Sequence, residues 1–148
     1  MTQTANMTRP IKILLAEDDL ADANLTFEVF KNSAIPVEIT RVKDGEDALA
    51  YLKKEEPYTS APSPDLIFLD VNMPKISGFE VLQMIKGDPE LKKIPVLMLT
   101  CSRSDEDKMK AYEAKANFYM VKPSDLDEFF EFVKYVEDIW LKKLKTAG

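Results

Sequence analysis

The chain has 148 residues, 45% of them hydrophobic, enough for one globular domain with a good core, and its 26 acidic against 20 basic residues give a net charge of −6. That balance argues against nucleic-acid and membrane-surface binding, because phosphate-coated partners are repelled and the basic residues do not cluster. One cysteine, Cys101, and no histidine exclude internal disulfides, cysteine- or histidine-ligated metals and Ser-His or Cys-His catalysis. Any metal must be held by oxygen, which suits magnesium, with manganese or calcium as substitutes. No apolar run is long enough to span a bilayer and no signal-peptide core opens the chain, so a cytoplasmic protein is expected.

Residues 1–9 read as a loose tail. Ile11–Ala16 is the first strand signal, and the helix after it places Leu25, Val29 and Phe30 on one face. Val37–Val42 is the second strand, followed by a helix with Ala48, Leu49 and Leu52. The segment Glu55–Asp65 holds three prolines and reads as an ordered surface loop. Leu66–Leu69 is a third strand, followed by a helix with Val81, Leu82 and Ile85. Val96–Leu99 is a fourth, and Met109, Tyr112 and Ala116 mark its helix, opened by the capping pair Ser104 and Asp107. Phe118–Val121 closes the strand series. The alternation predicts βαβ units and a parallel sheet, in which the continuously apolar first, third and fourth runs are buried on both faces. One domain over residues 10–144 is expected, with 145–148 a tail and no output domain after it.

The last helix is apolar over a wide arc. Leu126, Phe129, Phe130, Val133, Val136, Trp140 and Leu144 form a face for the sheet, while Phe132, Tyr135 and Ile139 project beside it. The second stripe is either a homodimer or partner face, or a wide core contact with the neighbouring helix.

Ligands of an open parallel sheet bind beyond the carboxyl ends of its strands. There the first strand delivers Glu17, Asp18 and Asp19, the third Asp70, the fourth Thr100, Cys101 and Ser102, and the fifth Lys122 and Pro123. The second, ending in Arg41-Val42-Lys43, supplies nothing comparable. Taken singly these are ordinary: an acidic pair caps a helix, an aspartate opens an Asx turn, a lysine sits in solvent. Together they make a site in which a hard cation relieves the repulsion among three carboxylates. A lysine and a hydroxyl complement the charge of a phosphoryl group, and Asp70 has a natural role as nucleophile toward phosphorus.

The segments LLAEDD, FLDVNMPKISG, PVLMLTCS and YMVKP resemble, in order, the four signatures of receiver domains of two-component response regulators, and the likeness runs from Ile11 to Trp140. It implies a flavodoxin-like, doubly wound five-stranded parallel sheet of order 2-1-3-4-5 with five helices. It implies Asp70 as phosphoacceptor from a histidine kinase, and Mg2+ on Glu17, Asp18, Asp70 and the backbone carbonyl of Asn72. Thr100 and Lys122 would contact the phosphoryl group, with Lys122 and Pro123 joined by a cis peptide. Thr100 and Tyr119 would form the switch, and Asn72 and Ser102 would tune the phosphoryl lifetime. Cys101 departs from the family's usual Ala, Ser or Gly and is open to oxidation. Such a protein catalyses transfer to itself and its own slow hydrolysis without turning over an external substrate.

The proline loop, KGDPELKKIP and DLDEFFEFVKYVEDIW are similar to stand-alone receivers serving bacterial phytochrome-type histidine kinases. Receivers often pair through the fourth helix, fifth strand and fifth helix, which raises the homodimer reading. Two alternatives are a receiver-fold binding module that signals without phosphorylation and a haloacid-dehalogenase-type phosphatase. Intact Asp18, Asp70, Thr100 and Lys122 speak against the first. Asn72, where the second wants an aspartate, speaks against it.

Overall fold

A computed structural model describes residues 9–100, 105–113, 115–123 and 125–147. In chain order these form β1 (Ile11–Ala16), α1 (Leu20–Phe30), β2 (Val37–Val42), α2 (Gly45–Leu52), β3 (Leu66–Asp70) and α3 (Gly78–Lys86). A 3-10 turn (Leu91–Lys93), β4 (Val96–Thr100), α4 (Asp105–Glu113), β5 (Phe118–Val121) and α5 (Leu126–Tyr135) follow. The fifth helix continues through a π-helical stretch, Val136–Leu141, into a last α-helical piece, Lys142–Ala147, and so passes the boundary expected at residue 144. No helix among the described residues is long and apolar enough to cross a membrane.

All five strands are parallel in the order β2-β1-β3-β4-β5, the doubly wound, flavodoxin-like arrangement. Side chains alternate across a strand, so a central strand covered on both sides must be apolar at every position. Leu14, Ala16, Ile67, Leu69, Val96 and Met98 meet α2 and α3 on one face. Ile13, Leu15, Leu66, Phe68, Leu97 and Leu99 meet α1 and α5 on the other. The continuously apolar runs are therefore the three inner strands, while β2 and β5 are the edges.

Helix starts follow from short acidic or hydroxyl side chains. Asp19, Asp44, Ser77 and Asp125 cap α1, α2, α3 and α5, each accepting the N–H three residues on. The Ser104 cap expected for α4 lies outside the described residues. On that helix Met109 and Tyr112 are exposed and Ala111 is the buried contact, because α4 packs on β5, an edge strand with only part of the sheet beneath it.

The face of the last helix also differs from the expected one. Phe132 is only 3% exposed and packs with Phe30 and Phe68, ring centroids 5.7–5.8 Å apart, whereas Leu126 and Phe130 point outward. The buried stripe is Phe129, Phe132, Val133 and Val136, a normal i, i+3, i+4, i+7 face. The π stretch then shifts the phase by about one residue, burying both Trp140 and Leu141 and leaving Ile139 exposed. Of the side stripe, Phe132 is core, Tyr135 stacks on Phe118 at 4.8 Å, and Ile139 alone faces outward.

Candidate functional site

The three acidic residues after β1 divide their work. Asp19 caps α1 through the N–H of Asp22 at 3.0 Å, so the ordinary explanation for an acidic loop holds for that residue. Glu17 is buried and Asp18 exposed, and each, together with buried Asp70, offers an oxygen within 4.8 Å of the others. A donor set of three carboxylates spread over two strand ends suits a hard divalent cation.

Lys122 follows β5 directly and its main-chain N–H donates to the oxygen of Thr100 at 2.7 Å. Its ammonium lies 2.6 Å from Glu17 Oε1, 3.0 Å from Asp22 Oδ2 and 3.1 Å from Asp70 Oδ2. Asp70 Oδ1 accepts the Asn72 N–H at 3.2 Å, so both oxygens of the buried carboxylate are oriented. Burial pushes the Glu17 carboxyl up to about 7; the hydrogen bond from Lys122 opposes this and the charge of Asp70 adds to it. Burial pulls Lys122 down, yet its bonds to Glu17 and Asp22 and the charge of Asp70 outweigh it and hold the ammonium above the usual lysine range.

A cis peptide was expected between Lys122 and Pro123. Among the described residues the cis bond is instead Glu56–Pro57. An X–Pro bond prefers trans by only about 0.5–1 kcal/mol, and the trans chain already delivers Lys122 to the carboxylates.

Thr100 ends β4 fully buried, and Tyr119, on the neighbouring strand, shares its face through the register Met98↔Tyr119 and Thr100↔Val121. The Tyr119 ring is buried in the core on that face with Met98 and Ala111. Cys101 and Ser102 lie outside the described residues.

Four contributors are not assigned to the site from the sequence, and Arg41 among them corrects the expectation that the end of the second strand supplies nothing comparable. Asp22, in the first turn of α1, reaches Lys122. Arg41 of β2 donates from Nε to the main-chain oxygen of Glu17 at 2.8 Å and from Nη2 to that of Asp18 at 3.0 Å. Lys75, at φ 72°, ties the loop after β3 to Asp44 at 3.5 Å. Gly78 lets that loop fold back onto β3: a Cβ there would stand 2.2 Å from the Asp70 carbonyl oxygen. Lys75 and Gly78 both lie in the segment FLDVNMPKISG, whereas Asp22 and Arg41 carry no such signal.

Residues 13–134 match the response regulator receiver domain. The chain belongs to this family. Among similar proteins, response regulator Rcp1 of Synechocystis sp. is 43% identical to this receiver over 133 residues, covering 90% of each chain. The phosphorylated cyanobacterial phytochrome response regulator RcpA shares 44% identity and a TM-score of 0.85, over 91% of this receiver and 96% of that chain. The Mn2+-bound form of Rcp1 shares 43% identity and a TM-score of 0.83, over 89% and 95%. This receiver is thus related to phytochrome response regulators, and the family is one of signalling proteins.

Proposed function

We propose that this receiver accepts a phosphoryl group from the phosphohistidine of a histidine kinase onto the Asp70 carboxylate. The nitrogen–phosphorus bond breaks as an oxygen–phosphorus bond forms at Asp70, and the electron pair leaves with the imidazole. The observation that carries this is Asp70 itself: a buried carboxylate at a strand end, one oxygen on the Lys122 ammonium and the other on the Asn72 amide. Glu17, Asp18 and Asp70, joined by the main-chain oxygen of Asn72, would hold Mg2+, with Mn2+ or Ca2+ as substitutes. The ion, when bound, supplies charge neutralisation for the phosphoryl oxygens. The chemistry of the three-carboxylate donor set supports this, and so does the likeness to Mn2+-bound Rcp1.

Lys122 and the Thr100 hydroxyl would then bind phosphoryl oxygens, and Asn72 and Ser102 would tune the lifetime of the acyl phosphate. Thr100 and Tyr119 would pass the event to the face formed by α4, β5 and α5, where two copies would pair with Tyr135 and Ile139 at the contact. The kinase is read as phytochrome-type from the 44% identity to RcpA.

Incubation with acetyl phosphate and Mg2+, followed by intact mass measurement, tests the reading. One base-labile adduct, absent from Asp70→Asn, is expected. A folded protein that binds Mg2+ yet gains no adduct would instead favour a module signalling without phosphorylation. The kinase assignment is tested separately by comparing phosphotransfer rates from a phytochrome-type and an unrelated histidine kinase.

A further inference from the structure

We propose that Asp22 is a positioning residue that acts through Lys122, occupying one hydrogen-bonding position of the ammonium until the phosphoryl group displaces it. The inference rests on the phosphoacceptor reading of Asp70.

A lysine ammonium has three N–H donors. Three carboxylate oxygens stand within 3.1 Å of Lys122 Nζ, on Glu17, Asp22 and Asp70. The ammonium is therefore saturated, and a phosphoryl oxygen can bind it only if one carboxylate lets go. The partners are not equivalent. The side chains of Glu17 and Asp70 are 4% and 7% exposed, so until a cation binds them or the acyl phosphate forms at Asp70, releasing either strands a charge away from water. The side chain of Asp22 is 43% exposed, and water can replace the lysine at once. Asp22 is the partner that yields.

Its place does not depend on the ion pair. The Asp22 main-chain N–H is held by Asp19 Oδ1 at 3.0 Å, and its carbonyl accepts the Thr26 hydroxyl at 3.0 Å. Helix α1 thus presents the carboxylate to the lysine as a fixed competitor for the donor that Asp70 also holds. While it holds Lys122 it also sets a negative charge beside an incoming anion. Both effects slow phosphoryl uptake and shorten retention.

Two measurements on the full chain test this. In the metal-free protein, Asp22→Asn should move the Lys122 ammonium 15N resonance while leaving the melting profile cooperative. With acetyl phosphate and Mg2+, Asp22→Asn should take up phosphate about three- to tenfold faster and hold it longer, and Asp22→Glu, which restores the charge, should return close to the wild-type rate. A wild type that forms the adduct and an Asp22→Asn variant that forms it no faster would overturn the proposal, as would an unmoved Lys122 resonance. A wild type that forms no adduct would strike the phosphoacceptor reading instead, and the metal-free resonance would still report whether Asp22 holds the lysine.

Discussion

Arg41 Nε lies 2.8 Å from the main-chain oxygen of Glu17, so β2, the edge strand, holds the acidic loop that β1 presents. With Nη2 on the Asp18 oxygen at 3.0 Å, the guanidinium fork fixes two successive peptide units. Arg41→Ala should weaken Mg2+ or Mn2+ binding, read by calorimetric titration, by about tenfold. That is less than two charge-assisted hydrogen bonds of about 1.5–3 kcal/mol each would give, because the guanidinium is partly solvated. Charge alone acts the other way, since removing a cation favours binding another. Arg41→Lys separates the two effects by keeping the charge and losing the fork. Both variants should bind metal more weakly; tighter binding in Arg41→Ala would show that charge, not positioning, dominates.

Gly78→Ala should destabilise the fold. The added Cβ meets the Asp70 carbonyl oxygen at 2.2 Å and the Val71 Cα at 2.8 Å, both backbone atoms that cannot swing aside. Overpacking of this kind costs about 1–3 kcal/mol or more, and the displacement falls on the residue bearing the nucleophile. Chemical denaturation should show a lower midpoint together with weaker metal binding. A midpoint equal to wild type would mean that the loop after β3 can move away freely.

The sheet was legible because burial on both faces leaves a plain mark: uninterrupted apolar runs at Ile13–Ala16, Leu66–Leu69 and Val96–Leu99. The gathering of Glu17, Asp18, Asp70, Thr100 and Lys122 at one sheet edge was legible because parallel strands all end on the same side. Asp22 and Arg41 were not, since each looks like an ordinary surface charge until the fold brings residues 22 and 122, or 17 and 41, together. The face of α5 was misread for another reason. An arc apolar on two sides fits more than one stripe, which is why Leu126 and Phe130 turn out exposed and Phe132 buried. The π stretch from Val136 accounts only for the added burial of Leu141, which periodicity counted straight through the helix cannot register.

The Glu17 carboxyl gives a pH signature in the metal-free protein. Its folded-state value, about 7, lies above the ordinary 4.5, so the folded state binds more protons between those values. Stability must then fall as pH rises through that window, by up to about 1.4 kcal/mol per pH unit for one proton. Lys122 adds no slope there, because it keeps its proton both folded and unfolded. Denaturation of wild type and Glu17→Gln in chelator at pH 5, 6 and 7 isolates the effect. Wild type should lose ground to the amide variant at each step, and a constant difference would show that Glu17 titrates normally.

Phe132 and Ile139 should separate stability from association. Phe132 joins α5 to α1 and the sheet through Phe30 and Phe68, so truncation opens a cavity among three rings. Phe132→Ala should cost about 3–5 kcal/mol, visible as a lower denaturation midpoint. Ile139 is 49% exposed beyond the phase shift and has little to lose on substitution. Ile139→Lys should change stability by no more than about 0.5 kcal/mol, the range for a surface change. If copies pair through this side of the helix, the same variant should lower the mass seen by light scattering while the midpoint stays put. A lysine at 139 that leaves a dimeric mass intact would move the contact elsewhere on α4, β5 and α5; a monomeric mass in both proteins would remove the pairing altogether. Because Phe132 is core, any change of mass in a Phe132 variant must be read against its loss of stability, and Ile139 is the position that reports association alone.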